Sequence, residues 1–150
     1  MEIPAGFEPV QSGSPFVDLV GPFYFKELDH CVAIGLRVQA QHCNRSGSMH
    51  GGLIATMADI AMGNNIGYAS VSAEEKRQWR ESGRAPAHSI VRRVTVNLAT
   101  DYMGVAKVGD WVEMQVDVQK LGQSMSFASA RLHLGDEAIA RSSGVFRNLG

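Results

Sequence analysis

The feature that most constrains this fold is a long helix whose sides are nearly all small or apolar. It begins just after the two glycines of SMHGG and runs through LIATMADIAMGNNIG. Leu53, Met57, Ile60 and Ala61 recur at spacings of three and four residues, which predicts a helix with an apolar face. Most of the remaining positions are Ala, Gly, Thr or Met. We therefore expect a helix that other parts of the chain enclose on most of its surface.

Segments in which apolar and polar residues alternate predict the walls that enclose this helix. Such period-two alternation is typical of strands with one buried face. It recurs after the helix in four segments: 94–99, 112–119, 127–134 and about 138–147. One or two further strands are predicted between Phe23 and about His42. Because the breaks between the last strands are short and contain Gly, we expect antiparallel hairpins. The predicted class is α+β, with a curved antiparallel sheet of about five to six strands wrapped around one long central helix.

Length, charge and the first residues exclude several classes of protein. The 150 residues suffice for a single-domain core. A net charge of −1, without basic or acidic blocks, predicts no nucleic-acid partner. The longest apolar runs are far shorter than the roughly 20 residues that span a bilayer, and the first residues lack the regions of a signal peptide. We therefore expect a cytoplasmic protein without a membrane partner, with Cys31 and Cys43 as free thiols.

The start of the central helix is a candidate site for an anion or a polarised carbonyl. A helix start carries unpaired backbone N–H groups and partial positive charge. Gly51 and Gly52, which follow His50, let another group approach those donors without a side chain in the way. Such a site stabilises negative charge on a carbonyl oxygen, as an oxyanion hole does. The same glycines also fit a loop that needs them only for flexibility.

Asp59 is the second unusual residue, because it lies inside the helix among small and apolar neighbours. Aspartate is a poor mid-helix residue, and its neighbours at helical spacing include no Lys or Arg. A carboxylate in an enclosed site is a candidate base or nucleophile. An ordinary exposed or capping aspartate is the alternative interpretation.

Helix geometry separates these two features within one chain. Asp59 lies roughly 12 Å beyond Gly51 along the helix axis, whereas a base acts within about 3 Å of its target or through one water. Two helices packed antiparallel across a two-fold axis would bring each Asp59 near the partner's Gly51. We therefore expect a site shared in a homo-oligomer. A dimer is the minimum assembly, and a tetramer, as a dimer of dimers, is the larger one expected.

These residues carry a resemblance to a known family. The segment NRSGSMHGGLIATMADIAMG, followed by TVNLATDYMGVAKVGD, resembles the PaaI-type hotdog-fold acyl-CoA thioesterases. The resemblance covers roughly residues 41–147 and keeps the order of the family's pattern, from an Asn through HGG and Asp to a TVxL strand and a GD. It implies a hotdog fold and the hydrolysis of an aliphatic or aryl acyl-CoA to the free acid and CoA. No cofactor or metal is expected.

The resemblance also implies a role for each residue that matches the pattern. The Gly51 N–H would polarise the thioester carbonyl, and Asp59 of the neighbouring subunit would be the nucleophile or the base that activates water. Asn44 and His50 would help to place the thioester and shape the pocket. Thr95 falls where family members carry a Ser or Thr that orients the attacking water. An ordinary strand threonine also fits that position.

Two segments lie outside the predicted hotdog core. Residues 1–22 form an N-terminal extension, in which 16–20 predict a docking turn or a short helix. Residues 72–88 are polar, mixed in charge and part helical at 73–80, and they form an insertion longer than the connection in many relatives. The insertion is either a lid or pocket wall, with Trp79 as an apolar contact, or surface decoration. The preferred acyl group and the basic residues that would contact the CoA phosphates are not identified by the sequence.

Three other functions compete with thioester hydrolysis. A hotdog hydratase or dehydratase would use His50 paired with Asp59, although the order HGG-then-Asp fits hydrolysis better. A non-catalytic acyl-CoA-binding protein would bind without turnover. A metal hydrolase would use His42, Cys43 and His50, but their spacing matches no common metal site, and a nucleophile pair of His42 and Cys43 is poor because adjacent strand residues point to opposite faces.

Overall fold

The computed structural model describes residues 2–82 and 92–149 of the chain. This part contains three α-helices, seven strands and one single-turn 3₁₀ helix. In chain order they are β1 (Glu8–Pro9), α1 (Pro15–Val20), β2 (Tyr24–Glu27), β3 (Val32–Arg37), the 3₁₀ turn (Ala40–His42), α2 (Gly51–Ala69), α3 (Ala73–Ser82), β4 (Arg93–Tyr102), β5 (Trp111–Leu121), β6 (Met125–Leu134) and β7 (Glu137–Asn148).

The seven strands form one sheet in the order β1-β2-β3-β5-β6-β7-β4. Every neighbouring pair in it is antiparallel. The predicted α+β class, with an antiparallel sheet and one long helix, is confirmed. The sheet has one strand more than the five to six that were predicted. The additional strand is β1, a two-residue strand in the N-terminal extension that pairs with β2.

Helix α2 lies against the sheet and supplies the centre of the core. Met57, Ala61, Met62 and Ile66 are fully buried and belong to one cluster with apolar side chains of β3, β5, β6 and β7. Burying a methionine or isoleucine side chain contributes about 1.5–3 kcal/mol. The prediction of an enclosed helix is confirmed for this side of α2.

Asn65 is a buried polar residue on α2 that fastens β3 to the helix. Its Oδ1 accepts the Val32 N–H at 2.8 Å, and its Nδ2 donates to the Val32 carbonyl at 2.9 Å and the Ala61 carbonyl at 2.8 Å. Because these hydrogen bonds compensate for the lost contact with water, the amide is tolerated inside the core. Helix and sheet are thereby held in one relative position.

The region before α2 is less extended than the sequence predicts. β2 and β3 confirm two strands there, but β3 ends at Arg37, and residues Ala40–His42 form a 3₁₀ turn instead of strand. The His42 ring explains this turn, since its Nδ1 accepts the Gln39 N–H at 3.0 Å. The docking segment at 16–20 is the short helix α1, whose N-cap is the Ser14 side chain.

Helix α3 is the described part of the insertion at 72–88. It is held to the sheet by Arg80, whose Nη2 lies 2.6 Å from Oε1 of Glu27 on β2, and the Tyr68 hydroxyl donates to the same carboxylate. The hydrogen bond from Arg80 holds the pKa of Glu27 below its usual value. Residues 83–88 and the side chain of Trp79 lie outside the described residues, so the predicted role of Trp79 stays a prediction.

Strand β4 contains a β-bulge at Val96. Its pairing with β7 passes from Thr95↔Phe146 directly to Asn97↔Val145, so Val96 is an additional residue. In a regular strand, Thr95 and Leu98 would point to opposite faces because they are three residues apart. With the bulge both side chains point toward α2.

Because of the bulge, the predicted buried face of β4 is wrong for part of the strand. Period-two alternation would place Val94, Val96 and Leu98 on one face, but only Leu98 packs against the core. Val94 is 43% exposed and Val96 53% exposed. Among the described strands β4 pairs only with β7, and two exposed valines lie at this edge of the sheet.

The longest described helix, α2, has 19 residues. Among the helices of residues 2–82 and 92–149, none combines the length and the apolar character needed to cross a membrane. The cytoplasmic location is not tested by this finding and stays a prediction.

Candidate active site

The start of α2 presents a backbone donor to its surroundings. His50 is the N-cap residue, and its Nδ1 accepts the Gly52 N–H at 2.8 Å. The neutral ring then carries its hydrogen on Nε2. In the described part of the chain no acceptor is bonded to the Gly51 N–H. This donor lies at the positive end of a 19-residue helix, where negative charge is stabilised.

Tyr102, the last residue of β4, lies against the same helix start. Its hydroxyl donates to the Gly51 carbonyl at 2.8 Å, and a Cβ at Gly51 would lie 3.3 Å from the Tyr102 Cε1. The backbone of Gly51 is therefore held at its carbonyl by the tyrosine, while its N–H stays open. A larger residue at position 51 would push against the tyrosine ring.

Asn44 organises the loop that precedes the helix. Its Oδ1 accepts three hydrogen bonds, from the Ser46 N–H at 3.0 Å, the Ser46 hydroxyl at 2.7 Å and the Ser48 N–H at 3.2 Å. The loop is joined to the loop after β4 by the Met49 N–H, which donates to the Ala106 carbonyl at 2.8 Å. Since the Asn44 oxygen is fully used within the loop, its Nδ2 amide is the group left to contact a ligand.

Asp59 and Thr95 meet in the third turn of α2. The Thr95 hydroxyl donates to Oδ1 of Asp59 at 2.6 Å. Asp59 is half-buried, and Thr95 lies on the exposed edge strand. The contact exists because the bulge at Val96 turns Thr95 toward the helix. A hydrogen bond to one carboxylate oxygen orients the group and leaves the other oxygen available to a water or a carbonyl carbon.

Strand β4 contacts both parts of the candidate site on α2. Tyr102 at the end of β4 contacts Gly51, and Thr95 near its beginning contacts Asp59. Within one chain the carboxylate and the helix start are still separated by roughly 12 Å along the helix axis. For the same reason, His50 and Asp59 do not form a catalytic pair within one chain, as a hydratase would require.

His42 and Cys43 are used for structure. Both ring nitrogens of His42 are occupied, because Nδ1 accepts the Gln39 N–H and Nε2–H donates to the Gly21 carbonyl at 3.1 Å. The Cys43 thiol lies 3.5 Å from the Gln39 carbonyl. Within the described ranges no three His, Cys, Asp or Glu side chains are grouped so that they could hold a metal ion. The prediction that His42 and Cys43 lie next to each other on a strand is wrong, since His42 is the last residue of the 3₁₀ turn and Cys43 follows it directly.

Comparison with known proteins identifies the family. The sequence profile of the thioesterase superfamily matches residues 46–140. A Pseudomonas aeruginosa protein named "Putative esterase PA0474" is 42% identical over 147 residues, covering 97% of both chains. The chain belongs to the thioesterase superfamily. Mouse acyl-coenzyme A thioesterase 13 is 30% identical over 65% of this chain and 56% of its own length.

Solved structures place this thioesterase superfamily member in the hotdog fold. Zebrafish thioesterase superfamily member 2 superimposes with a TM-score of 0.70 at 25% identity, covering 91% of this chain and 88% of that one. The Escherichia coli PaaI protein has a TM-score of 0.68 at 16% identity, covering 91% and 86%. The predictions of a hotdog fold, of likeness to PaaI proteins and of a thioester hydrolase are confirmed.

Sequence reasoning about this thioesterase superfamily member did not single out Tyr102. The residue lies in the segment TVNLATDYMGVAKVGD that carries the family resemblance, and no role was predicted for it. A usable signal exists, because Leu98, Thr100 and Tyr102 share one face of a regular strand after the bulge. The face of Leu98 is the face toward α2.

Proposed function

We propose that the protein hydrolyses an acyl-CoA thioester to a free acid and CoA. Three observations support this substrate class: membership of the thioesterase superfamily, the name acyl-coenzyme A thioesterase 13 carried by a mammalian relative, and an open backbone donor at a glycine helix start. The donor is the observation that carries the proposal. A thioester carbonyl is the group that such a donor polarises.

In this proposal the Gly51 N–H holds the thioester oxygen as negative charge develops on it. Asp59 of the partner subunit either removes a proton from water, which then attacks the carbonyl carbon, or attacks that carbon itself to form an anhydride that water opens. In both cases the carbon–sulfur bond breaks and CoA leaves as a thiolate. In the first route the thiolate takes the proton that Asp59 removed from water, and in the second route it takes a proton released when water opens the anhydride. Thr95 of the same subunit as Asp59 orients the carboxylate.

The remaining residues of the proposed site position the substrate. The His50 ring shapes the helix start through its cap on Gly52. The Asn44 side chain fixes the preceding loop by its oxygen and offers its amide hydrogen to the thioester. No cofactor takes part in these steps, since water is the only second reactant of hydrolysis.

The shared site requires a homodimer, with a dimer of dimers as the larger assembly. Supporting it, Asp59 and Gly51 both lie beside β4, whose outer edge has no partner strand among the described residues and whose Val94 and Val96 are exposed. Unpaired edge strands readily add a strand from another chain. Antiparallel pairing across a two-fold axis would place each Asp59 toward the partner's Gly51.

The proposed domain organisation follows the sequence prediction. One hotdog domain includes residues 1–22 as an N-terminal extension and 72–88 as an insertion between α2 and β4. Support comes from β1 and α1, which lie in the extension, and from α3, which is tied to β2 by the Arg80–Glu27 pair.

A thiol-release screen tests the proposed reaction. Aliphatic and aryl CoA thioesters are offered to the protein, and released CoA is measured with a thiol reagent. We expect turnover of several of them, and a drop of about 10²–10⁴-fold in Asp59→Asn. Asp101→Asn on β4, which removes an exposed partner of Arg141, is the matched control and keeps its activity. Turnover unchanged by Asp59→Asn would refute the assigned role.

A mixing experiment tests the shared site. Subunits with Asp59→Asn are coexpressed with subunits with Gly51→Val, in which the branched side chain obstructs the helix start and pushes on Tyr102. Each variant alone is expected to be inactive. A random mixture should regain roughly a quarter of the wild-type activity, because half of its dimers are mixed and each of these has one intact site. No recovery in isolated mixed dimers would place the whole site within one chain.

A further inference from the structure

A cleft lies between the N-terminal helix α1 and the first turns of α2. Its volume is about 370 Å³, within the range of small-molecule sites. Three elements line it: the end of α1, the 3₁₀ turn and the beginning of α2. The lining residues are Leu19, Val20, Gln41, His42, Cys43, His50, Leu53 and Thr56.

The cleft adjoins the helix start at which the thioester is proposed to bind. His50 belongs to both, since it caps Gly52 and also lines the cleft. Leu53 and Thr56 continue the same wall along α2. When the carbonyl of a thioester binds at the Gly51 N–H, its acyl chain can therefore extend past His50 into the cleft.

The residues that line the cleft fit the acyl group of a CoA thioester better than the CoA part. No Asp, Glu, Lys or Arg is among the lining residues that the structure describes, so they offer no charged partner to the phosphates of CoA. His42 is occupied on both nitrogens by backbone groups. Leu19, Val20 and Leu53 form the aliphatic part of the walls, and Leu19 is 78% exposed despite being apolar. An apolar chain in the cleft would cover that side chain.

The wall formed by α1 is held in place. The His42 Nε2–H donates to the Gly21 carbonyl directly after α1, and Val17 and Val20 pack against the core. The His50 N–H donates to the His42 carbonyl at 2.9 Å, so one residue joins α1 to the start of α2. A wall fixed in this way can discriminate between ligands by their length.

We infer that this cleft is the acyl-chain subsite of the enzyme and that Leu19 and Val20 of α1 set the accepted chain length. The inference rests on the proposed thioesterase function and names its substrate class, a linear or aryl acyl group long enough to pass His50. Each methylene that enters the cleft should raise kcat/KM about three- to fourfold, until the chain reaches the end of the space.

A chain-length series tests the subsite. Leu19→Trp narrows the cleft at an exposed position, and Phe16→Trp adds the same side chain to α1 at a residue that is 54% exposed and does not line the cleft. We expect Leu19→Trp to lower kcat/KM at least tenfold for the longest accepted chains and less than twofold for acetyl-CoA. Phe16→Trp should reproduce the wild-type series. An unchanged series in Leu19→Trp, or an equal loss for all chain lengths, would overturn the inference.

Alkylation of Cys43 provides a measurement that needs no turnover. Cys43 lines the cleft and is half-buried, while Cys31 is 3% exposed and serves as the internal reference. In Asp59→Asn, a long-chain acyl-CoA should slow iodoacetamide labelling of Cys43 at least fivefold, read by mass spectrometry of the two peptides. CoA and acetyl-CoA should have no effect. Equal protection by CoA would assign the cleft to the CoA arm, and absence of protection in a protein that hydrolyses the same thioester would refute the inference alone.

Discussion

Strands β6 and β4 have similar sequence patterns and opposite relations to the core. In β6, Ala128, Ala130 and Leu132 alternate with polar residues and are all buried. In β4, Val94, Val96 and Leu98 alternate in the same way, yet both valines are about half exposed and only Leu98 reaches the core. Alternation therefore predicts that a strand exists, but it identifies the buried face only while the register is regular.

The difference between the strands comes from one residue and their places in the sheet. β6 lies between β5 and β7, so both of its edges and one face are covered. β4 is an edge strand, and the bulge at Val96 lets Thr95 and Leu98 share the face toward α2. The irregular strand carries the contacts to Gly51 and Asp59. Bulges next to active sites commonly re-aim side chains in this way.

The largest effect is expected from a charge placed on each strand. Ala128→Asp puts an unpaired carboxylate in the core and should lower the free energy of unfolding by about 3–5 kcal/mol, because Ala128 is 1% exposed. Val96→Asp should leave the chain folded, since the carboxylate remains in water, but should shift the protein toward monomer and reduce turnover. Urea unfolding measures the first effect, and sedimentation with the thiol-release assay measures the second.

The same substitutions can also contradict the difference between β4 and β6. If Val96→Asp still sediments as the wild-type assembly, then the exposed valines of β4 are not covered by a second subunit. If Ala128→Asp is as stable as the wild type, the face of β6 assigned to the core is wrong. Val94→Asp on the same edge should behave like Val96→Asp.

The next effect in size concerns the contact that the bulge creates. Thr95→Val removes the hydroxyl that donates to Asp59 at 2.6 Å and keeps the size and shape of the side chain. A hydrogen bond to a charged group contributes about 1.5–3 kcal/mol, so kcat should fall roughly 10- to 100-fold with KM little changed. Thr95→Ser should restore turnover to within threefold. Equal kcat values for Thr95→Val and Thr95→Ser would leave Thr95 as an ordinary strand residue.

Much of the fold and part of the candidate site could be predicted from the sequence because they depend on local pattern. The small residues around α2 predict an enclosed helix, and the strict alternation in 112–119 and 127–134 predicts β5 and β6. Gly51 and Asp59 were identified because glycines at a helix start and an aspartate inside a helix are locally unusual. Both can be recognised without knowing what they contact.

The rest depends on contacts between residues that are far apart in sequence. The register with β7 that produces the bulge at Val96 is not visible in β4 itself. His42 bonds the Gly21 carbonyl across 21 positions, and this contact decides that its ring is structural. The cleft between α1 and α2 likewise forms only when the N-terminal extension packs beside the helix start.

The smallest effect is expected at Tyr102, where the regular end of β4 meets Gly51. Tyr102→Phe keeps the ring that contacts Gly51 and removes only the hydroxyl that donates to its carbonyl. Because a neutral hydrogen bond contributes about 0.5–1.5 kcal/mol, kcat should fall roughly two- to tenfold as the backbone of Gly51, whose N–H is the proposed oxyanion donor, becomes less well oriented. KM should change less than twofold.

A matched control separates positioning from general stability. Tyr24 is a residue of β2 whose ring lies against Trp111. Tyr24→Phe removes its hydroxyl and should leave kcat unchanged. Tyr102→Ala removes the ring as well and should lower kcat further than Tyr102→Phe does. If Tyr102→Phe changes the free energy of unfolding but not kcat, the tyrosine only stabilises the end of β4. In that case β4 would affect turnover only through Thr95 beside the bulge, and not through Tyr102 at its regular end.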